Sequence, residues 1–252
     1  LAIYNYNTSK YPKDKLQWII YDTSNEENKV LDLLPNEENM KKMNIKYIHD
    51  NTLMSIGKSR TLACNLANND IIVFNDDDDY YYPESINERV SALINNNKKI
   101  VGCSIIGSFD INKYISFIET LPLTENIGKR MYPGTMCFYK NLIEKMEFDD
   151  ENLFECNSLI NQNLNNILEI NCENIIVSLV HNDNISFRNT PKVKPNGSHF
   201  NLSEKIFRFI TSLDNDTNKK QLEENSDTNT NNKIKNNTNN NTNIDEYKSN
   251  NT

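Results

Sequence analysis

From Leu16 onward, short apolar runs alternate with stretches in which apolar residues recur every three or four positions. Leu16-Gln17-Trp18-Ile19-Ile20-Tyr21 reads as a strand ending at Asp22-Thr23-Ser24, and Ile45-Lys46-Tyr47-Ile48 as a second. Ile71–Phe74 and Ile100–Ile105 are two more. Between them, Leu62, Ala63, Leu66 and Ala67 mark a helix over 56–68 with Ser55 as its cap. Pro83 opens another helix running to about Asn96, with Ile86, Val90 and Leu93 on one face. Residues 1–15 read as the end of a helix and a loop. Past residue 105 the rhythm loosens. Tyr114–Ile118, Thr135–Tyr139 and Ile175–Val180 suit strands, while Asn141–Met146 and Leu153–Leu168 suit helices. A last helix is expected from Asn201 as cap and Glu204 at its third position, with a stripe of Leu202, Ile206, Phe207, Ile210 and Leu213. Strands alternating with helices predict an α/β fold with a mostly parallel sheet covered on both faces.

Composition changes this picture only at the end of the chain. Hydrophobic residues make up 37% of the 252 residues, below the roughly 45–50% of ordinary globular domains. The deficit gathers after residue 213, where Asn, Thr, Lys, Asp and Glu leave almost nothing to bury. The expected organisation is therefore one domain over 1–213 and a disordered Asn-rich tail over 214–252. Within the domain, the regular alternation covers residues 1–110 and the looser pattern 111–213. The net charge of −8 and the lack of a basic stripe speak against a nucleic-acid partner. Five widely spaced cysteines without a Cys-x-x-Cys pair read as buried thiols rather than a zinc site. No run approaches the ~20 apolar residues of a transmembrane segment.

The chemistry concentrates at Asp76-Asp77-Asp78-Asp79, directly after Ile71-Ile72-Val73-Phe74-Asn75. Adjacent carboxylates at a strand end repel one another unless a cation offsets their charge. Magnesium and manganese take oxygen ligands, commonly a few carboxylates plus substrate phosphates. In open α/β sheets, ligands bind at the carboxyl ends of strands. The position therefore points to a metal–phosphate site, against the simpler alternative of a solvated acidic loop.

Four pieces in order give Leu16 to Ser104 a resemblance to the nucleotide-binding half of family 2 glycosyltransferases, which have the GT-A fold. They are Trp18-Ile19-Ile20-Tyr21-Asp22-Thr23-Ser24, Ile56-Gly57-Lys58-Ser59-Arg60, Ile71 through Asp79, and Tyr82-Pro83-Glu84 with Arg89-Val90. A weaker likeness continues through Tyr132-Pro133-Gly134-Thr135-Met136-Cys137-Phe138, Phe148 to Cys156, and Ser178 to Asn184. The Asn-rich composition and the Asp-Asp-Asp-Asp-Tyr-Tyr-Tyr-Pro wording resemble glycosyltransferases of giant viruses, which implies a place in the host cytoplasm. Three departures stand out. The family's first strand would lie ahead of Leu1, Cys156 stands where a second acidic residue often follows the base, and the Gln-x-x-Arg-Trp acceptor motif is absent.

The resemblance implies a Rossmann-like GT-A domain that moves a sugar, with inversion, from a nucleotide-sugar donor such as a UDP-sugar to a glycan, protein or lipid acceptor. Manganese or magnesium is the implied cofactor. Asp22 would meet the base or ribose, with a turn cap as its alternative role. Arg60, and less directly Lys58, would sit near the base or phosphates rather than serve as exposed helix charges. Asp76 would reach ribose or metal, Asp78 would bind metal, and Asp79 would be a second or outer ligand, with Asp77 solvated. His181 would supply an imidazole to the metal or end its strand as a structural group. Glu155 would be the general base, with Asp149, Asp150 and Glu151 as neighbouring competitors. Tyr80, Tyr81 and Tyr82 would stack on sugar or pack in the core. Other Asp-rich enzymes fit less well: Tyr80 occupies the position where an Asp-x-Asp phosphatase needs Thr or Ser and where a prenyl-transfer motif cannot place its spacing, and no Gly-rich nucleotidyltransferase loop is visible. A glycosyltransferase-like module that binds nucleotide or metal without turnover is the non-enzymatic alternative.

Overall fold

The computed structural model describes residues 1–182, 184, 189–197, 200 and 202–212. The chain divides into two compact units, Leu1–Asn201 and Leu202–Thr252. In the second, residues 204–212 form the helix expected from the apolar stripe. Its proposed cap Asn201 and the Asn-rich tail lie outside the described residues.

In the first unit, α1 (Ala2–Thr8) leads to β1 (Trp18–Asp22), α2 (Glu37–Lys42), β2 (Ile45–His49) and α3 (Ile56–Asn65). There follow β3 (Ile71–Val73), β4 (Tyr80–Tyr81), α4 (Ser85–Asn95) and β5 (Ile100–Gly102). The second half carries β6 (Ile105–Asp110), β7 (Ile115–Thr120), α5 (Ile127–Arg130), β8 (Cys137–Tyr139), α6 (Asn157–Asn161), β9 (Ile167–Glu169) and β10 (Ile176–Val180). The α/β class and the strand–helix alternation of the first half are as expected. Leu153–Leu168 is the main departure. Instead of one long helix it holds α6, a 3-10 turn and β9, because Leu159 and Ile160 bury together in α6 while Leu153, Phe154 and Leu164 stay exposed, leaving no continuous apolar face. Asn141–Met146 likewise contributes no α-helix, only a 3-10 turn at Lys140–Leu142.

Pairing is mixed. β1 and β2 run parallel as a two-stranded sheet. A second sheet has the order β3-β8-β5-β9, with β8 antiparallel to both β3 and β5 and β9 parallel to β5. The third has the order β4-β10-β6-β7, with only β10 and β6 parallel. The late strands account for this: β8 returns from the second half and inserts between β3 and β5, which local alternation could not foretell.

Side chains alternate across the β3-β8-β5-β9 sheet. Ile72, Phe138 and Ile100 pack with Cys64 and Ala67 from the α3 side and with Leu159 and Ile160 of α6. On the opposite face Val101 and Cys137 meet Ile86, Val90 and Leu93 of α4, the face expected from the helical spacing. A cavity of about 510 Å³ lies beside β3, lined by Trp18 and Ile19 of β1 and by Ile71, Val73 and Phe74. Four of the five cysteines are buried, and all are free thiols. Among the described residues, no helix is long and apolar enough to cross a membrane.

Arg89 of α4 is completely buried. Its guanidinium donates to Phe74 O at 2.7 Å, Asn75 Oδ1 at 2.7 Å, Ser85 Oγ at 3.0 Å, Ser85 O at 3.2 Å and Gly134 O at 3.3 Å. These bonds tie the end of β3 to α4 and to the turn before β8. Arg89→Met removes the donor and leaves several buried acceptors unmet, each costing on the order of 1–3 kcal/mol. A loss of about 3 kcal/mol or more is therefore expected in urea unfolding, against a near-neutral effect for an exposed control such as Lys99→Met.

Candidate active site

The acidic run spans the gap between two sheets. Phe74 N extends the β3 pairing by donating to Met136 O at 3.0 Å, and after Asp79 the chain enters β4, which pairs with β10. The four carboxylates go separate ways. Asp76 Oδ1 accepts from Arg60 Nη2 at 2.8 Å. Asp77 is exposed. Asp78 Oδ2 lies 3.2 Å from His181 Nε2 and accepts from Asn184 Nδ2 at 3.2 Å. Asp79 is 1% exposed and accepts from Ser178 Oγ and Leu179 N, both at 2.8 Å, and from Tyr132 Oη at 3.0 Å. Asp79 thus anchors the loop to β10.

Tyrosines and a glycine hold the loop's other side. Tyr81 Oη accepts from Asp76 N at 2.9 Å and donates to Gly134 O at 2.9 Å. A Cβ on Gly134 would lie 2.5 Å from Asp76 Oδ2 and 2.8 Å from the Tyr81 hydroxyl, so only glycine admits the carboxylate here. Tyr80 and Tyr81 are buried, which gives both the packing role.

Arg60, Asp76 and Glu155 form one cluster. Arg60 Nε stands 3.0 Å from Glu155 Oε1, off the line of a hydrogen bond, while Nη2 holds Asp76. The guanidinium also lies 4.7 Å over the Phe74 ring. Burial raises the pKa of Glu155, with the Arg60 charge pulling the other way. The loop carrying Glu155 is pinned to the start of α3. Ile56 N donates to Asn152 Oδ1 and Gly57 N to Glu151 O, each at 3.0 Å, and Ser55 bonds Asp150. Gly57 permits this approach, since a Cβ there would fall 1.8 Å from Asp149 O. Of the competing acids, Asp149 accepts from Ser158 N at 3.0 Å, Asp150 is held by Ser55 and Glu151 is exposed, while Glu155 meets Arg60. Cys156 is wholly buried.

Two expected residues stand elsewhere. Lys58 is exposed and faces Glu147 at 3.5 Å, because the helix turn that directs Arg60 inward carries Lys58 outward. Asp22 is buried and accepts from Val30 N at 2.9 Å, Ser24 N at 3.0 Å and Tyr47 Oη at 2.9 Å, which is the turn-capping role. Sequence reasoning gave no role to Tyr132, which secures Asp79, and none to Asn184 beyond its place in the last segment of likeness. No sequence spacing links Tyr132 to a carboxylate 53 positions away.

Asp78 and His181 fit a divalent cation. Two ligand atoms about 3 Å apart can share a metal at roughly 2.0–2.2 Å. Asn184 Nδ2 lies 3.0 Å from His181 Nε2, so in the tautomer with a bare Nε2 the imidazole is in its ligating form. Among the described residues no group of three His, Cys, Asp or Glu is arranged to hold a metal, so substrate oxygens would have to complete the shell, as is common for magnesium.

Burial works to raise the Asp22 pKa, but bonds from Val30, Ser24 and Tyr47 outweigh it and lower the value from 3.8 to about 2. The ionised form is thus favoured by folding, and its contribution is full above pH 3.8 and lost as pH falls through about 2. Asp22→Asn is expected to lower stability at pH 7 by about 1–3 kcal/mol, with the gap from wild type closing when urea unfolding is repeated near pH 2.

The family model described as glycosyl transferase family 2 matches residues 7–143. No curated protein matches the chain. Among solved structures, S. aureus TarS 1-349 in complex with UDP-GlcNAc aligns with a TM-score of 0.54 at 17% identity, covering 72% of this chain and 54% of that one. The same protein in complex with UDP gives 0.54 at 16%, covering 71% and 55%. The mannosyltransferase PcManGT from Pyrobaculum calidifontis, in complex with GDP-Man and Mn2+, gives 0.52 at 12%, covering 70% and 51%. This chain therefore spans about half the length of these structures, and the likeness to them is one of fold. With more than half of its residues matched by the family model, the chain belongs to glycosyl transferase family 2.

Proposed function

We propose that the chain is a metal-dependent inverting glycosyltransferase that moves a sugar from a nucleoside-diphosphate donor, a UDP-sugar, to an acceptor hydroxyl. The observation that carries this reading is the convergence of Asp78 and His181 at 3.2 Å, with the Arg60–Asp76 pair close along the same loop. The UDP and UDP-GlcNAc of TarS and the GDP-Man and Mn2+ of PcManGT support a nucleotide-sugar and a divalent ion.

In this reading Asp78 and His181 hold manganese or magnesium, which when bound supplies positive charge where the diphosphate departs. Asp76 receives the ribose, kept in place by Arg60, Tyr81 and the space at Gly134. Glu155 takes the proton of the acceptor hydroxyl as its oxygen bonds to the anomeric carbon and the bond to the diphosphate oxygen breaks. Burial suits this task, since a raised pKa makes a carboxylate a better base, while Arg60 keeps it ionised and oriented. The same ion pair favours a second reading, a nucleotide-binding module in which Glu155 serves only to brace Arg60.

One set of variants separates the two. Asp78→Ala and His181→Ala are expected to lose manganese-dependent UDP binding by tenfold or more in calorimetry. Glu155→Gln is expected to keep that binding yet lose on the order of 10²–10⁴ in transfer rate. Because the base must be deprotonated, wild-type kcat/KM should fall as pH drops through a value above the ordinary glutamate range. A Glu155→Gln protein with wild-type turnover would remove Glu155 from the base role, and a wild type that binds UDP but transfers no sugar would leave the binding module.

We also propose that a further strand seats between β1 and β3, as the resemblance implies for a segment ahead of Leu1. Among the described residues each of these strands pairs on one side only, both line the cavity, and an isolated two-stranded parallel sheet is marginal in water. A chain extended at its N-terminus by an apolar strand should unfold at higher urea and bind UDP more tightly. Equal stability with and without the extension would count against the strand.

A further inference from the structure

Asn5 sits in the middle of α1 and is 5% exposed. Asparagine is a poor helix former, and a buried amide is tolerated when its bonds are met. Both ends of this amide are met by one short stretch far along the chain. Nδ2 donates to Asp79 O at 2.8 Å, and Oδ1 accepts from Tyr81 N at 3.2 Å. One residue of a parallel strand lying opposite Tyr80 would make the same two bonds. β4 is a strand of only two residues at the edge of its sheet. The Asn5 carboxamide, with one donor side and one acceptor side, therefore stands in for a neighbouring strand. Just past α1, Lys10 N donates to Pro83 O at 2.8 Å, so the same segment grips the chain on both sides of Tyr82.

This clamp acts where the acidic run joins the sheet. β4 pairs with β10 so that Tyr81 faces Ile176 and Tyr80 faces Val177. Continued by one residue, that register sets Asp79 beside Ser178, whose hydroxyl bonds the Asp79 carboxylate. Asp78 comes next on one chain, and His181 directly follows β10 on the other. Two paired residues fix a register weakly, and a slip by one would turn each side chain to the opposite face. Asp79 is held through its carboxylate by Ser178 and Leu179 and through its carbonyl by Asn5. The 3.2 Å approach of Asp78 to His181 depends on both grips.

We propose that Asn5 is a positioning residue for the Asp78–His181 pair. It acts through the backbone of Asp79 and Tyr81, fixing β4 against β10 so that the carboxylate meets the imidazole. Its consequence for a bound cation rests on the metal-site reading above, but the clamp itself is read without metal.

The experiment compares wild type with three variants of the full chain. Asn5→Leu fills the space without either bond, and Asn5→Gln keeps the carboxamide. Tyr6→Leu removes the ring stacked on Trp18 at 4.7 Å, loosening α1 while leaving the groups of the clamp in place. Manganese-dependent UDP binding in calorimetry should weaken by about 10–100-fold in Asn5→Leu, the range for residues that orient metal ligands, and by less in Asn5→Gln. Tyr6→Leu should bind as wild type although its urea midpoint falls. In metal-free protein, the ring-nitrogen NMR signals of His181, assigned with His181→Ala, should move in Asn5→Leu in the direction seen for Asp78→Ala. Unmoved His181 signals in Asn5→Leu, or an equal loss of UDP binding in Tyr6→Leu, would overturn the proposal. A wild type that binds no UDP with manganese, while His181 still moves in Asn5→Leu, would sink the metal-site reading and leave the clamp standing.

Discussion

A buried arginine, bonded among the described residues to neutral oxygens, holds this architecture together. Arg89 spends its five hydrogen bonds on neutral oxygens from β3, Asn75, Ser85 and Gly134, and burial depresses its pKa. A cation in the interior is tolerated only when its donors are met, so these groups have little freedom to move apart. Asn75 is the residue from which the acidic run departs, and Gly134 faces Asp76. The position of the first carboxylate therefore follows from a charge that never reaches the surface.

Four adjacent aspartates are tolerable because the fold disperses them. One meets an arginine, one stays in water, one turns to a histidine and one is buried under three donors. That arrangement reduces mutual repulsion and leaves Asp78 facing His181. Arg60 joins Asp76 to Glu155, so any group that drew Arg60 away would also loosen Glu155.

Much of the first half was legible because its order is local. Helical spacing on Ile86, Val90 and Leu93, the Ser55 cap and the β-branched strands each state their structure within a few residues. The second half was less so. Leu153–Leu168 broke into α6, a turn and β9 because tertiary burial of Leu159 and Ile160 outweighed propensity, and β8 found its antiparallel place between β3 and β5 only through long-range pairing.

At the site the same boundary holds. The sequence by itself determined that carboxylates follow β3, that a glycine and an arginine open α3, and that an acidic loop precedes Cys156, since each is a matter of residue type and order. Only the tertiary structure decided which of them act together. It sent Lys58 outward and Arg60 inward, closed Asp22 on its own loop, buried Asp79 beneath Tyr132 and Ser178, and brought His181 to Asp78 across 103 positions. The physical reason is that a side chain's role depends on its partners' distance and on burial, and both are set by contacts between segments far apart in the chain.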